Sequence, residues 1–183
     1  MNITVFGSGY VGLVQAAIFA DVGHRIICMD VDAKRVERLR ACDIPFFEPG
    51  LNGLVQNALD SGLLTFTTDA ERAVQDSDFL FICVGTPSAD DGAAHLSYVM
   101  SVADSIATHM TERKVVITKS TVPVGTTDKV LAHIRQRLAE LGIQLEIEYL
   151  WPNGARSLYF RDPSGNSLEI AEPKLWGFND DGT

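Results

Sequence analysis

The stretch Ile3-Thr-Val-Phe-Gly7-Ser-Gly9-Tyr-Val-Gly12, followed 18 residues later by Asp30, decides the fold. A short apolar run meets three glycines and then a helix over residues 11–22. Its apolar positions Val11, Val14, Ala17, Ile18 and Val22 recur at helical spacing until Gly23 ends it. Arg25–Met29 is a second strand, and Asp30 stands at its end. A strand, a glycine loop, a helix and a strand closed by an acidic residue describe a βαβ unit built for a dinucleotide. The three glycines serve different ends. Gly7 makes the tight turn, Gly9 lets backbone approach a pyrophosphate, and Gly12 allows close helix–strand packing. Tyr10 and Val11 open the helix, whose free N–H groups and positive dipole end face the phosphates. Asp30 is expected to accept hydrogen bonds from the adenine-ribose hydroxyls and to repel a 2′-phosphate, which selects NAD over NADP. Arg35, in the first turns of the next helix, either reaches the phosphate or ribose edge or stands as a solvated surface charge.

Working outward, strands and helices alternate. A charged helix at 32–41 turns Val36 and Leu39 inward, and a helix at 51–59 precedes a strand at 63–67. Asp69 caps a short helix to about residue 75, and 78–84 is a near-continuous apolar strand. The helix 96–110 carries Leu96, Val99, Met100, Ala103, Ile106, Ala107 and Met110 on one stripe; strand 114–118 and helix 127–141 follow. Apolar strands alternating with helices indicate an α/β fold: a Rossmann-like, doubly wound parallel sheet covered on both faces. After Gly142 the texture changes. Residues 144–150 alternate apolar and polar, and 157–160 and 167–171 are short strands joined by a turn at 161–166. This C-terminal antiparallel β-meander is expected to extend or cover the parallel sheet, with 144–150 docking as the next parallel strand beside 114–118. The expected organisation is a dinucleotide-binding domain at 1–142, a β-strand fragment at 143–178, and a frayed polar tail at 179–183.

Composition narrows the partners. The 183 residues carry a formal charge of −9, so neither nucleic acid nor an anionic membrane surface has electrostatic support. No segment approaches the roughly 20 apolar residues that span a bilayer. Cys28, Cys42 and Cys83 lack CxxC spacing and read as reduced thiols of a cytoplasmic protein. The histidines His24, His95, His109 and His133 fall at helix or loop positions with surface-like neighbours.

Four motifs together carry a resemblance. Gly7-Ser-Gly-Tyr-Val-Gly12, Pro45-Phe-Phe-Glu-Pro-Gly-Leu51, Val84-Gly-Thr-Pro87 and Lys119-Ser-Thr-Val-Pro-Val-Gly-Thr126 occur in the order and spacing of the UDP-glucose/GDP-mannose dehydrogenase family, which residues 1 to about 141 resemble. The resemblance implies a four-electron oxidation of a UDP-sugar primary alcohol to a carboxylate, with two NAD molecules used in turn. It implies that Thr86 lies beside the nicotinamide ribose and that Thr121 lies near the nicotinamide and a catalytic water. On position alone, these threonines follow the C-terminal ends of central strands, where open α/β sheets bind ligands; turn and cap chemistry is the plainer reading. The family's Asn-Pro-Glu-Phe-Leu segment, long dimer-forming helix, catalytic lysine and asparagine, and cysteine-bearing glycine motif do not follow here. No cysteine of this chain stands in a nucleophile context, so no catalytic residue is assigned.

The tail resembles the end of a vicinal oxygen chelate domain, through Trp151-Pro-Asn-Gly154, Ser157-Leu-Tyr-Phe-Arg-Asp-Pro-Ser-Gly-Asn166, Leu168-Glu-Ile-Ala171, Pro173 and Leu175-Trp-Gly177. That resemblance implies a metal-ligand position at Glu169. One carboxylate makes no metal site, and an exposed strand carboxylate is the plainer reading. A homodimer formed through the C-terminal strands would bring two such carboxylates together. The joined resemblances suggest a chimera, designed or recombined. Three readings stay open: a dinucleotide-binding module, a partial enzyme needing a second chain, and a structural fusion whose ligand site is incidental.

Overall fold

The structure, a computed structural model, describes residues 1–88, 92, 94–112, 114–142, 145–150, 152, 156–161 and 167–171. The chain order is β1 (Asn2–Phe6), α1 (Tyr10–Asp21), β2 (Arg25–Met29), α2 (Ala33–Arg40), α3 (Leu51–Asp60), β3 (Leu64–Thr67) and α4 (Ala70–Gln75). Then come β4 (Phe79–Ile82), α5 (Ser97–His109), β5 (Val115–Thr118), α6 (Thr126–Glu140), β6 (Leu145–Leu150), β7 (Arg156–Arg161) and β8 (Ser167–Ala171). The first five strands form one sheet in the order β3-β2-β1-β4-β5, every pair parallel. This is the expected Rossmann-like sheet, and its strand order reverses between β1 and β4, where such sheets open a ligand crevice.

Two cores clad the sheet. On one face Ile3, Val5, Ile26, Cys28, Leu64 and Phe66 meet α1, α2 and α3; on the other, Phe6, Leu80 and Ile82 meet α4, α5 and α6. Local chemistry sets the helix starts. Asp32 accepts from the N–H groups of Lys34 and Arg35, and Asp69 accepts from that of Arg72, so each is a side-chain N-cap. The inward residues of α2 and α5 are those the spacing predicts, with Leu96 and Met100 half-buried at the stripe's edge.

Helix α1 departs from its predicted face. Val11, Ile18 and Val22 are exposed, while Gly12, Leu13, Ala16, Ala17 and Ala20 are buried against the sheet. Both sides of this helix are apolar, so periodicity does not choose between them. Close approach to the strands does, because only the small-residue face lets the backbone come near.

The second departure is at β6. It pairs antiparallel with β7, and β7 with β8, in a separate three-stranded sheet; it does not join β5 as a sixth parallel strand. Leu145-Glu-Ile-Glu-Tyr-Leu150 alternates polar and apolar residues, as strands of half-solvated antiparallel sheets do. The parallel strands Phe79-Leu-Phe-Ile82 and Val115-Val-Ile-Thr118 are near-continuously apolar by contrast. The turn expected at 162–166, the tail at 179–183 and the side chain of Glu169 lie outside the described residues.

Candidate dinucleotide site

The site is the carboxyl edge of β1, β2, β4 and β5. Gly7 follows β1 with φ +98°, a conformation that L side chains rarely adopt, and its N–H donates to the Met29 carbonyl at 2.7 Å. A Cβ on Gly7 would lie 2.8 Å from the Cys83 carbonyl oxygen, so the turn is wedged against the end of β4. A Cβ on Gly12 would meet the Gly7 carbonyl oxygen at 1.9 Å and the Cys83 Cβ at 3.2 Å. Gly12 is therefore required by packing. Gly9 differs: a Cβ there meets nothing within 4 Å. Its φ of −72° and ψ of −170° are open to any residue. The fold leaves room beside Gly9, at the N-terminus of α1.

Asp30 closes the other side. It is 7% exposed, and its carboxylate is held by four donors. The Ser8 N–H and Ser8 hydroxyl donate to Oδ2 at 2.8 and 2.6 Å, and the Arg35 guanidinium reaches the same oxygen at 3.5 Å. The Asp32 N–H donates to Oδ1 at 3.0 Å. Burial pushes the carboxyl up, but the bonds from Ser8 and Asp32 and the charge of Arg35 outweigh it and hold the pKa below the ordinary range. Asp30 is thus a pre-formed anion whose Oδ1 is the less occupied oxygen. Arg35 is drawn to Asp30, which sharpens the alternative left open by its position on α2.

Tyr10 and Val11 are exposed at the first turn of α1. The Tyr10 hydroxyl donates to the Glu48 carboxylate, and its ring lies 5.3 Å from that of Phe46. The Glu48 carboxylate, by accepting that bond, holds the phenolic proton and raises the Tyr10 pKa. The segment Pro45–Leu51 is thereby clasped to the glycine loop. Across the crevice, the Thr86 hydroxyl donates to the Thr121 carbonyl at 2.7 Å, joining the loops after β4 and β5. The Ser120 hydroxyl donates to the Val84 carbonyl at 2.7 Å on the same seam. Gly125, with φ +81°, starts α6 just beyond.

The structure thus brings Gly7, Gly9, Tyr10, Val11, Gly12, Asp30 and Arg35 to one end of the sheet edge and Thr86 and Thr121 to the other. The sequence reading missed Ser8, Glu48 and Ser120. Glu48 stands inside a motif without a role of its own, whereas Ser8 fills a variable place among the glycines and nothing local announces its bond to Asp30. No thiol among the described residues serves the crevice. Cys28 is fully buried with its pKa raised by burial, and burial pushes Cys83 up to about 11 against the opposing charge of Lys119. Cys42, at φ +55°, bonds the Asn52 side chain at 3.1 Å. Among the described residues no group of three His, Cys, Asp or Glu is arranged to hold a metal ion, and no helix is long and apolar enough to cross a membrane.

Comparison with known proteins agrees with this geometry. UDP-glucose 6-dehydrogenase of Rhizobium meliloti is 51% identical over 137 residues, and that of Pseudomonas aeruginosa 44% over 139. These alignments cover 74% and 76% of this chain and 31% of each relative, so the chain spans about a third of the length of the relatives it matches. Among solved structures, a UDP-glucose dehydrogenase from Pyrobaculum islandicum superposes with a TM-score of 0.71 at 43% identity, covering 74% of this chain and 32% of that one. A ternary complex of GDP-mannose dehydrogenase from Pseudomonas aeruginosa gives 0.72 at 39% identity, over 75% and 32%. The profile of the UDP-glucose/GDP-mannose dehydrogenase family, NAD binding domain, matches residues 1–153. The chain belongs to the UDP-glucose/GDP-mannose dehydrogenase family and carries its NAD-binding domain.

Proposed function

We propose that this chain binds NAD in the crevice between the glycine loop and Asp30, in the manner of a UDP-sugar dehydrogenase, and does not carry out the sugar oxidation by itself. The observation that carries this is the contrast among the three glycines. Gly7 and Gly12 are required by backbone conformation and packing, whereas Gly9 is spared a side chain beside empty space at a helix N-terminus. Neither packing nor backbone conformation calls for glycine at position 9, which stands at the start of α1 in the loop that the family's NAD-binding domain uses.

When bound, NAD supplies a hydride acceptor at its nicotinamide. This chain's part is to hold it: Tyr10 and Val11 present first-turn N–H groups to the pyrophosphate, and Asp30 with Arg35 takes the adenine ribose. Thr86 and Thr121 line the nicotinamide end. Turnover needs more than this. The described residues bring no free thiolate to the crevice, and the lysine, asparagine and cysteine motifs that follow this domain in the family are not in the sequence. Activity as a UDP-glucose 6-dehydrogenase would use groups beyond those of these 183 residues.

The tail motifs at 151–177 support a separate ancestry for about 143–178, spliced after the last dehydrogenase helix. The free thiols suit a reducing cytoplasm, and the strands at 145–171 are the place for a homodimer to pair. Titration of the purified chain with NAD+ and NADH should give micromolar-range binding; no heat with either overturns the reading. UDP-glucose-dependent NADH formation by these residues alone would overturn the claim that turnover needs groups beyond them.

A further inference from the structure

We infer that Ser8 is a positioning residue for dinucleotide recognition, acting through Asp30: its hydroxyl and backbone N–H fix one carboxylate oxygen so that the other faces the ribose. The inference rests on the proposal that NAD binds in this crevice and adds to it a residue outside the glycine-and-aspartate motif.

The geometry is specific. Ser8 is fully buried, and both of its donors converge on one atom, Asp30 Oδ2, at 2.8 and 2.6 Å. A carboxylate offers about four lone-pair positions, two on each oxygen. Two short bonds from Ser8 fill Oδ2, and Arg35 stands at the limit of bonding distance on the same oxygen. Oδ1 takes only the Asp32 N–H and keeps one position open. An incoming ribose is therefore met by Oδ1, while Arg35, 42% exposed on its side chain, is free to turn toward the second hydroxyl or the phosphate. Short charge-assisted bonds of this kind are among the stronger hydrogen bonds in proteins, and this pair fixes the carboxylate's rotation as well as its charge.

The groups facing Asp30 are few. Arg35 approaches from α2 and Cys28 from β2, and Asp32 contributes its N–H, while the Asp30 backbone N–H donates to the Thr67 carbonyl of β3. Of these only Arg35 carries a charge that favours the carboxylate, and it is half exposed. Ser8 is accordingly the main buried group holding Asp30 ionised against its own burial.

The experiment is NAD+ titration of wild type, Ser8→Ala, Asp30→Asn and the double variant across a range of about pH 3 to 8, with thermal unfolding of each. Ser8→Ala should bind NAD+ about 10-fold more weakly at neutral pH. The pH below which its affinity falls should move up by about one unit relative to wild type, because burial then dominates the carboxylate. In the Asp30→Asn background the same substitution should change affinity less than about 2-fold and remove the pH shift, since the partner is gone. Ser8→Cys, a similar volume with a weaker donor, should show a smaller loss of the same kind and serves if Ser8→Ala does not fold. Wild-type affinity in Ser8→Ala, an unmoved pH profile, or equal loss with and without Asp30 overturns the inference. Failure of the wild type to bind NAD+ overturns the dinucleotide reading itself, and this inference with it.

Discussion

The two ends of the crevice are built differently. At the β1–β2 end, a buried carboxylate is locked by four donors, and the glycine turn is wedged between strand ends so tightly that a methyl at Gly7 or Gly12 has no room. At the β4–β5 end, Thr86 is half-buried, Thr121 is exposed, and the link between them is one hydroxyl-to-carbonyl bond. The first end is finished by folding alone, with its charge, donors and space in place before any ligand arrives. The second is a pair of loops tied by the Thr86–Thr121 and Ser120–Val84 bonds, with Val124 fully exposed beside them. On the proposed reading, binding strength would come from the finished end, and the reactive ring of the cofactor would sit at the open one.

The largest blow to this contrast is Gly12→Ala. Its Cβ would overlap the Gly7 carbonyl at 1.9 Å and crowd Cys83, so both ends lose their common support. A loss of about 3 kcal/mol or more is expected, seen as a drop in unfolding midpoint in denaturant. Next, Asp30→Ala should weaken NAD+ by roughly 10- to 100-fold in calorimetry, through the finished end alone. Thr86→Ala tested the same way should leave adenosine-end binding within about 2-fold, since its bond is a single exposed one.

A pH series sharpens the comparison further. The folded-state pKa of Asp30 lies below its unfolded value, so its contribution to stability is present above the ordinary carboxylate range near about pH 4. That contribution is lost as pH falls through the folded value. Asp30→Asn should therefore flatten the acid side of the stability curve between about pH 5 and about pH 3. The smallest effect is expected of Thr86→Val, less than about 1 kcal/mol in unfolding. A larger one would mean that the Thr86–Thr121 bond holds the open end more tightly than its exposure indicates.

Much of this is legible in the residues. Gly7, Gly9, Gly12 and Asp30 predict the βαβ unit because their spacing encodes a steric problem with few solutions, and the alternation that follows predicts the parallel sheet. Asp69 declares its helix because the bond it makes is three residues long, and Asp32, read as the first residue of its helix, makes the same kind of bond. What fails is choice among equals. Helix α1 offers apolar side chains all round, so its inward face is set by how close the strands come, which is a tertiary fact. Ser8 is invisible because its partner lies 22 residues away across two elements. The docking of 144–150 on β5 is the reverse case: its alternating pattern argues for antiparallel pairing, while chain order and the crossover rule point the other way, and the local pattern prevails.

Gly9 has a consequence for how this chain would drift. A methyl there meets open space and an unstrained backbone, so its cost to the fold is no more than a weaker helix cap, about 1 kcal/mol or less. Selection for a well-folded molecule would be nearly blind to the change, and only selection for the ligand would remove it. A library sorted on expression and heat tolerance should fill position 9 with small residues while keeping 7 and 12 as glycine. The same library sorted on NAD retention should keep all three. That one position records whether a lineage is still using its crevice or merely inheriting it.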